Sequence, residues 1–437
     1  MTATGAVWRN WARTEHAKPI RVERPSSIGA VQRAVRAAAG AGLPIKAVGA
    51  GHSFTGIAVA PGVLLELDDL QGLVSVDRER SRVTLLAGTR LHAIPRLLRP
   101  YGLAMANLGD IDRQSISGAI STGTHGTGTT FGGIATQVVG ITLVTADGEL
   151  LTADEHEHTE LLPALALSLG ALGIIVSVTL QCVPAFVLEA VERPEPLEPL
   201  LPTLLDRAAA ADHFEFYWFP HTETALTKTN TRLAGDAPRS PMPPVRRWVD
   251  DTAIANGAYR VLCNTGLVAP KLIPRINRLA DRVTGNRSFT DHSTNVFTTS
   301  RTVRFQEMEY AIPAEHVPEA FRRVRELIEE RGWNISFPIE VRFAAADDLW
   351  LSTASGRPSG YIAVHRFFRE NTTQYFGAVE EIMMEYGGRP HWGKMNSRTA
   401  ESLRTVYPRF DEFVALRDRL DPGRLFANDY LRRVLGE

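Results

Sequence analysis

Val48-Gly49-Ala50-Gly51-His52-Ser53-Phe54 is the stretch on which the reading of this chain turns. An apolar run from Pro44 to Val48 leads into two glycines one residue apart, and Thr55 and Gly56 follow the stretch. Glycines so placed let the backbone turn with φ > 0 or approach a ligand closely. Successive N–H groups in such a turn form a concavity that suits an anion such as a pyrophosphate. The spacing is not the nicotinamide-nucleotide fingerprint, which needs a third glycine three positions after the second; Phe54 stands there. His52 is sterically free in this setting, open to work as a nucleophile or ligand or to be a plain loop histidine.

A second glycine stretch changes the weighting. Residues 117–128 read Ser-Gly-Ala-Ile-Ser-Thr-Gly-Thr-His-Gly-Thr-Gly, with Asn107-Leu108-Gly109-Asp110 before them and Gly132-Gly133 after. Such a segment buries little apolar surface, and its hydroxyls need partners. A long phosphate-bearing cofactor lying along it supplies them. The other reading is a flexible glycine-serine linker, but Ile116, Ile120 and Phe131 punctuate the run and full-length strands follow, which favours the cofactor.

Together with Ser168-Leu169-Gly170-Ala171-Leu172-Gly173 and His391-Trp392-Gly393-Lys394, these stretches closely resemble the vanillyl-alcohol oxidase type of flavoprotein. Within that type they are similar to the aldonolactone oxidoreductases and the alditol oxidases. The resemblance implies an α+β fold of two domains: an FAD-binding domain over 1–185 and an α+β substrate (cap) domain over 186–394. A C-terminal segment, 395–437, is expected to return to the FAD domain. It implies FAD, bound covalently through His52. Further cofactor contacts are expected at Gly49, Ala50, Gly51, Ser53, Gly109, Asp110, Ser115, Ser117, Gly118, Ser121, Thr122, Gly123, Thr124, His125 and Gly126, and through backbone groups at Gly170, Gly173 and Ile174. For Asp110 and Ser115 ordinary turn capping is the competing reading.

Composition agrees with such an enzyme. At 437 residues the chain is too long for one core, and two domains is the natural expectation. A formal net charge of −1 disfavours nucleic acid as a partner. Two cysteines, Cys182 and Cys263, make neither a disulfide framework nor a clustered metal site and fit a reducing compartment. Met1 to Lys18 has no apolar core of signal-peptide length, so the expected location is cytoplasmic, with peripheral membrane association left open. The twenty uncharged positions from Leu161 to Leu180 are long enough to raise a membrane span. Pro163, Gly170 and Gly173 interrupt them, and the β-branched second half suits a buried strand; a short helix, a glycine turn and a core strand are expected instead. Asp154-Glu155-His156-Glu157-His158 lacks a helical histidine pair and reads as a solvated loop, so no metal is expected.

In chain order, Ser27 offers an N-cap to a helix carrying Ile28, Val31, Val35 and Ala38, and mixed strands and helices follow to Leu98. Glu189 to Pro202, rich in proline and glutamate, reads as a domain boundary. Beyond it come an aromatic strand, His213 to Phe219, and a helix begun at Pro318. The strand Ile335 to Phe343 alternates, with Glu340 and Arg342 side by side on one face. A surface ion pair is the plain reading of that face, and Pro338 suggests an edge or a bulge. The family resemblance weighs toward a substrate site, because its lactone and alditol members carry a Glu-x-Arg pair facing the flavin. It likewise brings Lys394 into the site, whereas Trp392 and His391 taken alone read as packing at a domain seam. The implied activity is oxidation of a sugar lactone of the L-gulono-1,4 or D-arabinono-1,4 type, with oxygen or another electron acceptor. The alternatives are an alditol oxidase and, from another class, a flavin-binding redox sensor; the joint presence of Glu340, Arg342 and Lys394 argues against the sensor.

Overall fold

A serine starts the first regular element. Ser27 accepts a hydrogen bond from the Ala30 N–H and so caps the helix Ile28–Gly40. The helix turns Val31, Ala34, Val35 and Ala38 into the core. The computed structural model describes residues 6–243, 259–283, 285–299 and 303–437. After this helix the strand Ile45–Val48 pairs in parallel with Val63–Glu66, which pairs in parallel with Arg21–Glu23. A five-stranded antiparallel sheet follows, in the order Leu150–Ala153, Val138–Val144, Ile174–Gln181, Arg82–Leu86, Leu73–Asp77. One apolar core joins both sheets and the helix, and Leu403, Phe410, Phe413, Phe426 and Leu431 from the chain's last stretch belong to it.

An eight-stranded antiparallel sheet makes the other half. Its order is Arg287–His292, Val187–Pro196, Thr224–Leu233, His213–Trp218, Ile339–Ala344, Ser359–Phe367, Phe305–Pro313, Arg389–Pro390. Period-two alternation gives it two unlike faces. Phe214, Phe216, Val341, Phe343, Ile362, Val364 and Tyr310 pack beneath the helices Val317–Glu330 and Thr373–Glu385. Glu215, Glu307, Glu309, Glu340, Arg342 and His365 occupy the alternate positions, and they too are buried. Among the described residues no helix is long and apolar enough to cross a membrane. Leu161 to Leu180 resolves into the short helix Leu162–Leu165, a turn with Leu169 and Gly170 in the left-handed region, and the strand Ile174–Gln181.

Two expectations need correction, and the second glycine run adds a feature that the sequence left unspecified. The second glycine run holds a short helix, Ile116–Ser121, capped by Ser115 Oγ on the Gly118 N–H. Glycine and serine hide it by their weak helix propensity, but Ile116, Ala119 and Ile120 bury one side of it. Nor is the run's end a linker: Thr127 donates to the Phe214 carbonyl and accepts from the Phe343 N–H, and Gly128 donates to the Phe343 carbonyl. The proline-rich run from Glu189 is no boundary loop, since Val187–Pro196 pairs with Thr224–Leu233 along its whole length. Pro194 and Pro196 are tolerated because the neighbour on the other side, Arg287–His292, pairs only as far as Glu192 and leaves an open edge there. Pro338 marks neither an edge nor a bulge. It precedes the strand Ile339–Ala344, which lies between two partners, and its carbonyl accepts from His365.

Candidate active site

Two clefts meet at the Val48–Phe54 turn. The first is an open cleft spanning about 880 Å³, solvent at its mouth included, and is lined by Lys46, Gly49, Ala50, Gly51, His52, Ser53, Ser115, Ser117, Gly118, Ser121, Thr122, Gly170, Gly173 and Ile174. Its wall is built by close approach: a Cβ on Gly49 would stand 2.6 Å from Ser115 Oγ, and Gly51 has a φ of +67°. Small residues, hydroxyls and turn N–H groups on this wall fit the elongated, anionic form of FAD. The second cleft, of about 770 Å³, is lined by His52, Ser53, Gly109, Asp110, Thr122, Thr124, His125, Glu340, Arg342 and Lys394, with Trp11, Glu307, Glu309, His365 and His391.

Gly123 and Gly126 line neither cleft. A Cβ on Gly126 would lie 2.3 Å from the Leu108 carbonyl oxygen and 2.6 Å from Asn107 Oδ1. The neighbouring loop thus requires a glycine there. Gly123, at a φ of +75°, packs toward Leu167.

His52 belongs to both clefts and stacks on Trp11, with ring centroids 5.5 Å apart. Burial, then the charges of Lys394, Arg90 and Arg113, lower its pKa to about 4. The imidazole is therefore neutral at pH 7, with a lone pair available. Backbone and hydroxyl bonds tie this turn to the His391–Lys394 segment. Phe54 N donates to Gly393 O at 2.7 Å and Thr55 Oγ1 to Trp392 O at 3.2 Å. Trp392, fully buried, donates through its indole to Leu351 O at 2.7 Å. The tryptophan packs at the seam while Lys394 reaches the cleft.

The floor of the second cleft is the charged face of the eight-stranded sheet. Glu340 and Arg342 are only 7% and 9% exposed, so they are no surface pair. Arg342 pairs with Glu340, and its Nε lies 2.9 Å from Glu215 Oε2. Glu215 in turn meets Lys228 at 3.3 Å, and Tyr217 donates to Glu340 at 2.9 Å. Lys394 pairs with Glu307 and lies 5.3 Å from the Phe54 ring centroid. Burial works against the Lys394 ammonium, but Glu307 and Glu309 outweigh it and raise the pKa above the ordinary lysine value. Burial likewise opposes the Glu307 charge, yet Lys394 and His365 hold its pKa well below the usual range. Glu309, 3.4 Å from His125 Nε2, is held at about 2 against the same opposing burial.

His125, Glu309 and His391 bring one ligand atom each within 4.8 Å of one another. Within this group His125 Nε2 faces Glu309 at 3.4 Å, and His391 Nδ1 accepts from the Gly393 N–H at 3.0 Å. The Asp154–His158 tract is an exposed loop in which Asp154 accepts from the His156 and Glu157 N–H groups. Sequence reasoning did not reach Glu307, Glu309, His365, Glu215, Trp11 or Lys46. The alternation in Phe305–Pro313 is the signal that exposes the first two, since it repeats the pattern of the Glu340 strand.

Comparison with known proteins agrees with this geometry. A family model described as D-arabinono-1,4-lactone oxidase matches residues 178–434, and one described as FAD binding domain matches residues 19–154. The chain is 44% identical over 430 residues to L-gulono-1,4-lactone dehydrogenase of Mycobacterium tuberculosis, covering 98% of this chain and 99% of that protein. It is 33% identical over 437 residues to L-gulonolactone oxidase of Mus musculus, covering 98% of each. Among solved structures, a cholesterol oxidase from B. sterolicum matches with a TM-score of 0.84 at 19% identity, over 100% of this chain and 97% of that one. That last likeness is one of fold.

Proposed function

Because the chain belongs to the D-arabinono-1,4-lactone oxidase family and carries its FAD-binding domain, it is an FAD-dependent oxidoreductase of sugar lactones, and we propose that Glu340, Arg342 and Lys394 form its substrate site. One observation carries the assignment: adjacent strands of one sheet direct Glu340 and Arg342, with Glu307, Glu309 and His365, onto the floor of a cleft that meets the glycine-lined cleft at His52, and the turn after Arg389–Pro390 adds Lys394. FAD, when bound, supplies the hydride acceptor. The chain's own task is to hold the lactone, take the hydroxyl proton and steady the negative charge that develops on oxygen. Glu340 holds substrate hydroxyls and receives that proton. Arg342 and Lys394, both kept cationic by neighbouring carboxylates, stabilise the developing alkoxide. Glu307 positions Lys394 through their ion pair.

The names of the relatives support an aldono-1,4-lactone over an open-chain alditol, with L-gulono-1,4-lactone the first substrate to test. They divide between dehydrogenase and oxidase, so the acceptor is a separate measurement. Anaerobic stopped-flow reduction of the flavin isolates the chemical step from that choice. Glu340→Gln and Arg342→Lys are expected to keep the flavin spectrum and to slow reduction by two to three orders of magnitude, or about 3–4 kcal/mol. Reduction within a fewfold of the parent would remove both residues from the substrate site.

A further inference from the structure

The strand leading into the Gly49 turn carries one residue out of keeping with its surroundings. Ile45 and Val48 are buried apolar residues of the core, yet Lys46 between them is only 4% exposed. It is the one lysine or arginine among the described residues lining the first cleft. Its Nζ donates to the Gly170 carbonyl at 3.1 Å, and an ammonium has three N–H donors to satisfy. Asp421 is the carboxylate that acts on it, but from beyond ion-pairing distance. The Asp421 oxygens are engaged by the Leu425 and Phe426 N–H groups at 2.7 and 2.8 Å. Buried charges are ordinarily paired, because desolvation is otherwise uncompensated. The cleft that Lys46 lines is the side from which an anion can reach its ammonium.

We propose that Lys46 is a cofactor-binding residue whose ammonium receives the anionic diphosphate of FAD in the first cleft. The inference rests on the FAD reading above. The diphosphate is the charged part of that molecule, and Lys46 adds a cation to the neutral N–H donors of the neighbouring turns. Burial lowers the Lys46 pKa to about 7, so an arriving anion draws the residue fully into its charged form. The competing role is a tether for the left-handed turn at Leu169 and Gly170.

Reversible binding to flavin-free protein carrying His52→Ala separates the two roles. FAD and riboflavin, which lacks the diphosphate, are titrated by flavin fluorescence. Lys46→Met is expected to weaken FAD by about 10- to 100-fold, the worth of a charged hydrogen bond, and to leave riboflavin nearly unchanged. Lys46→Arg should restore most of the FAD affinity. Equal losses for both ligands would assign Lys46 to the turn alone, and no loss for FAD would overturn the proposal outright. If the Met variant fails to fold, the same protein with Lys46 intact decides by pH. FAD affinity should fall from pH 6.5 to 8.5, by up to about tenfold per unit above 7, while riboflavin affinity stays level; a level FAD profile refutes the proposal. A protein that binds neither flavin defeats the cofactor reading itself.

Discussion

His52 is placed to attack an electrophile: neutral near pH 7, stacked on Trp11 and common to both clefts. If it carries the flavin, acid-precipitated protein stays yellow and His52→Ala releases the colour; a colourless parent precipitate would leave FAD bound but not linked. Other buried histidines tie stability to pH. Burial lowers the His213 pKa to about 4. Its Nδ1 donates to Thr127 O at 2.7 Å, and its Nε2 accepts from Arg232 Nε at 3.2 Å. Unfolded, the same ring titrates near 6.5, so its contribution is present above that pH and is lost as pH falls toward 4. The loss is on the order of 3 kcal/mol. Denaturant unfolding at both pH values should show His213→Asn losing less stability on acidification than the parent, and parallel losses would refute the assignment.

At the scale of elements, Glu340 and Arg342 were legible because alternation fixes which side chains share a face. That the face is buried was not. A charged face on a strand ordinarily meets water, and only pairing across the whole chain shows that this one meets the glycine-rich half. Glu307 and Glu309 carried the same alternating signal, one strand removed, without a motif to draw attention to it. The glycine run was legible as special, but the reasons differ along it: Gly118 lines the cleft, whereas Gly126 is pressed against Leu108 and Asn107. Gly126→Ala should therefore act first on stability, by roughly 3 kcal/mol or more. A thermal midpoint well below the parent's is expected, with flavin lost as a consequence. Native stability without flavin would return Gly126 to the cofactor.

At the scale of the molecule, the two-part organisation was legible from length and motif order, while the strand order was not. Pairings such as Phe216 with Val341 join residues far apart in sequence, and local patterning carries no record of them. The closing stretch makes direct contacts with early residues of the chain. Asn428 Nδ2 lies 2.9 to 3.1 Å from the carbonyls of Gly56, Ile57 and Val59. Leu425 O accepts from Ile45 N at 2.9 Å, and Tyr430 donates to Trp392 O at 2.9 Å. Asn428→Ala strands the Ile57 and Val59 carbonyls, while Gly56 O keeps the Val59 N–H, and should cost on the order of 1–3 kcal/mol, read as a lower denaturant midpoint with unchanged slope.

The same closing contacts set an order of events during synthesis. The Ile45 strand and the loop at Gly56 to Val59 leave the ribosome well before residues 425–431, which complete their bonding. Domains commonly fold as units while translation proceeds, and here the unit is closed by residues 425–431. The strand that leads into the Gly49 turn thus gains its full set of bonds only after the closing stretch has been made.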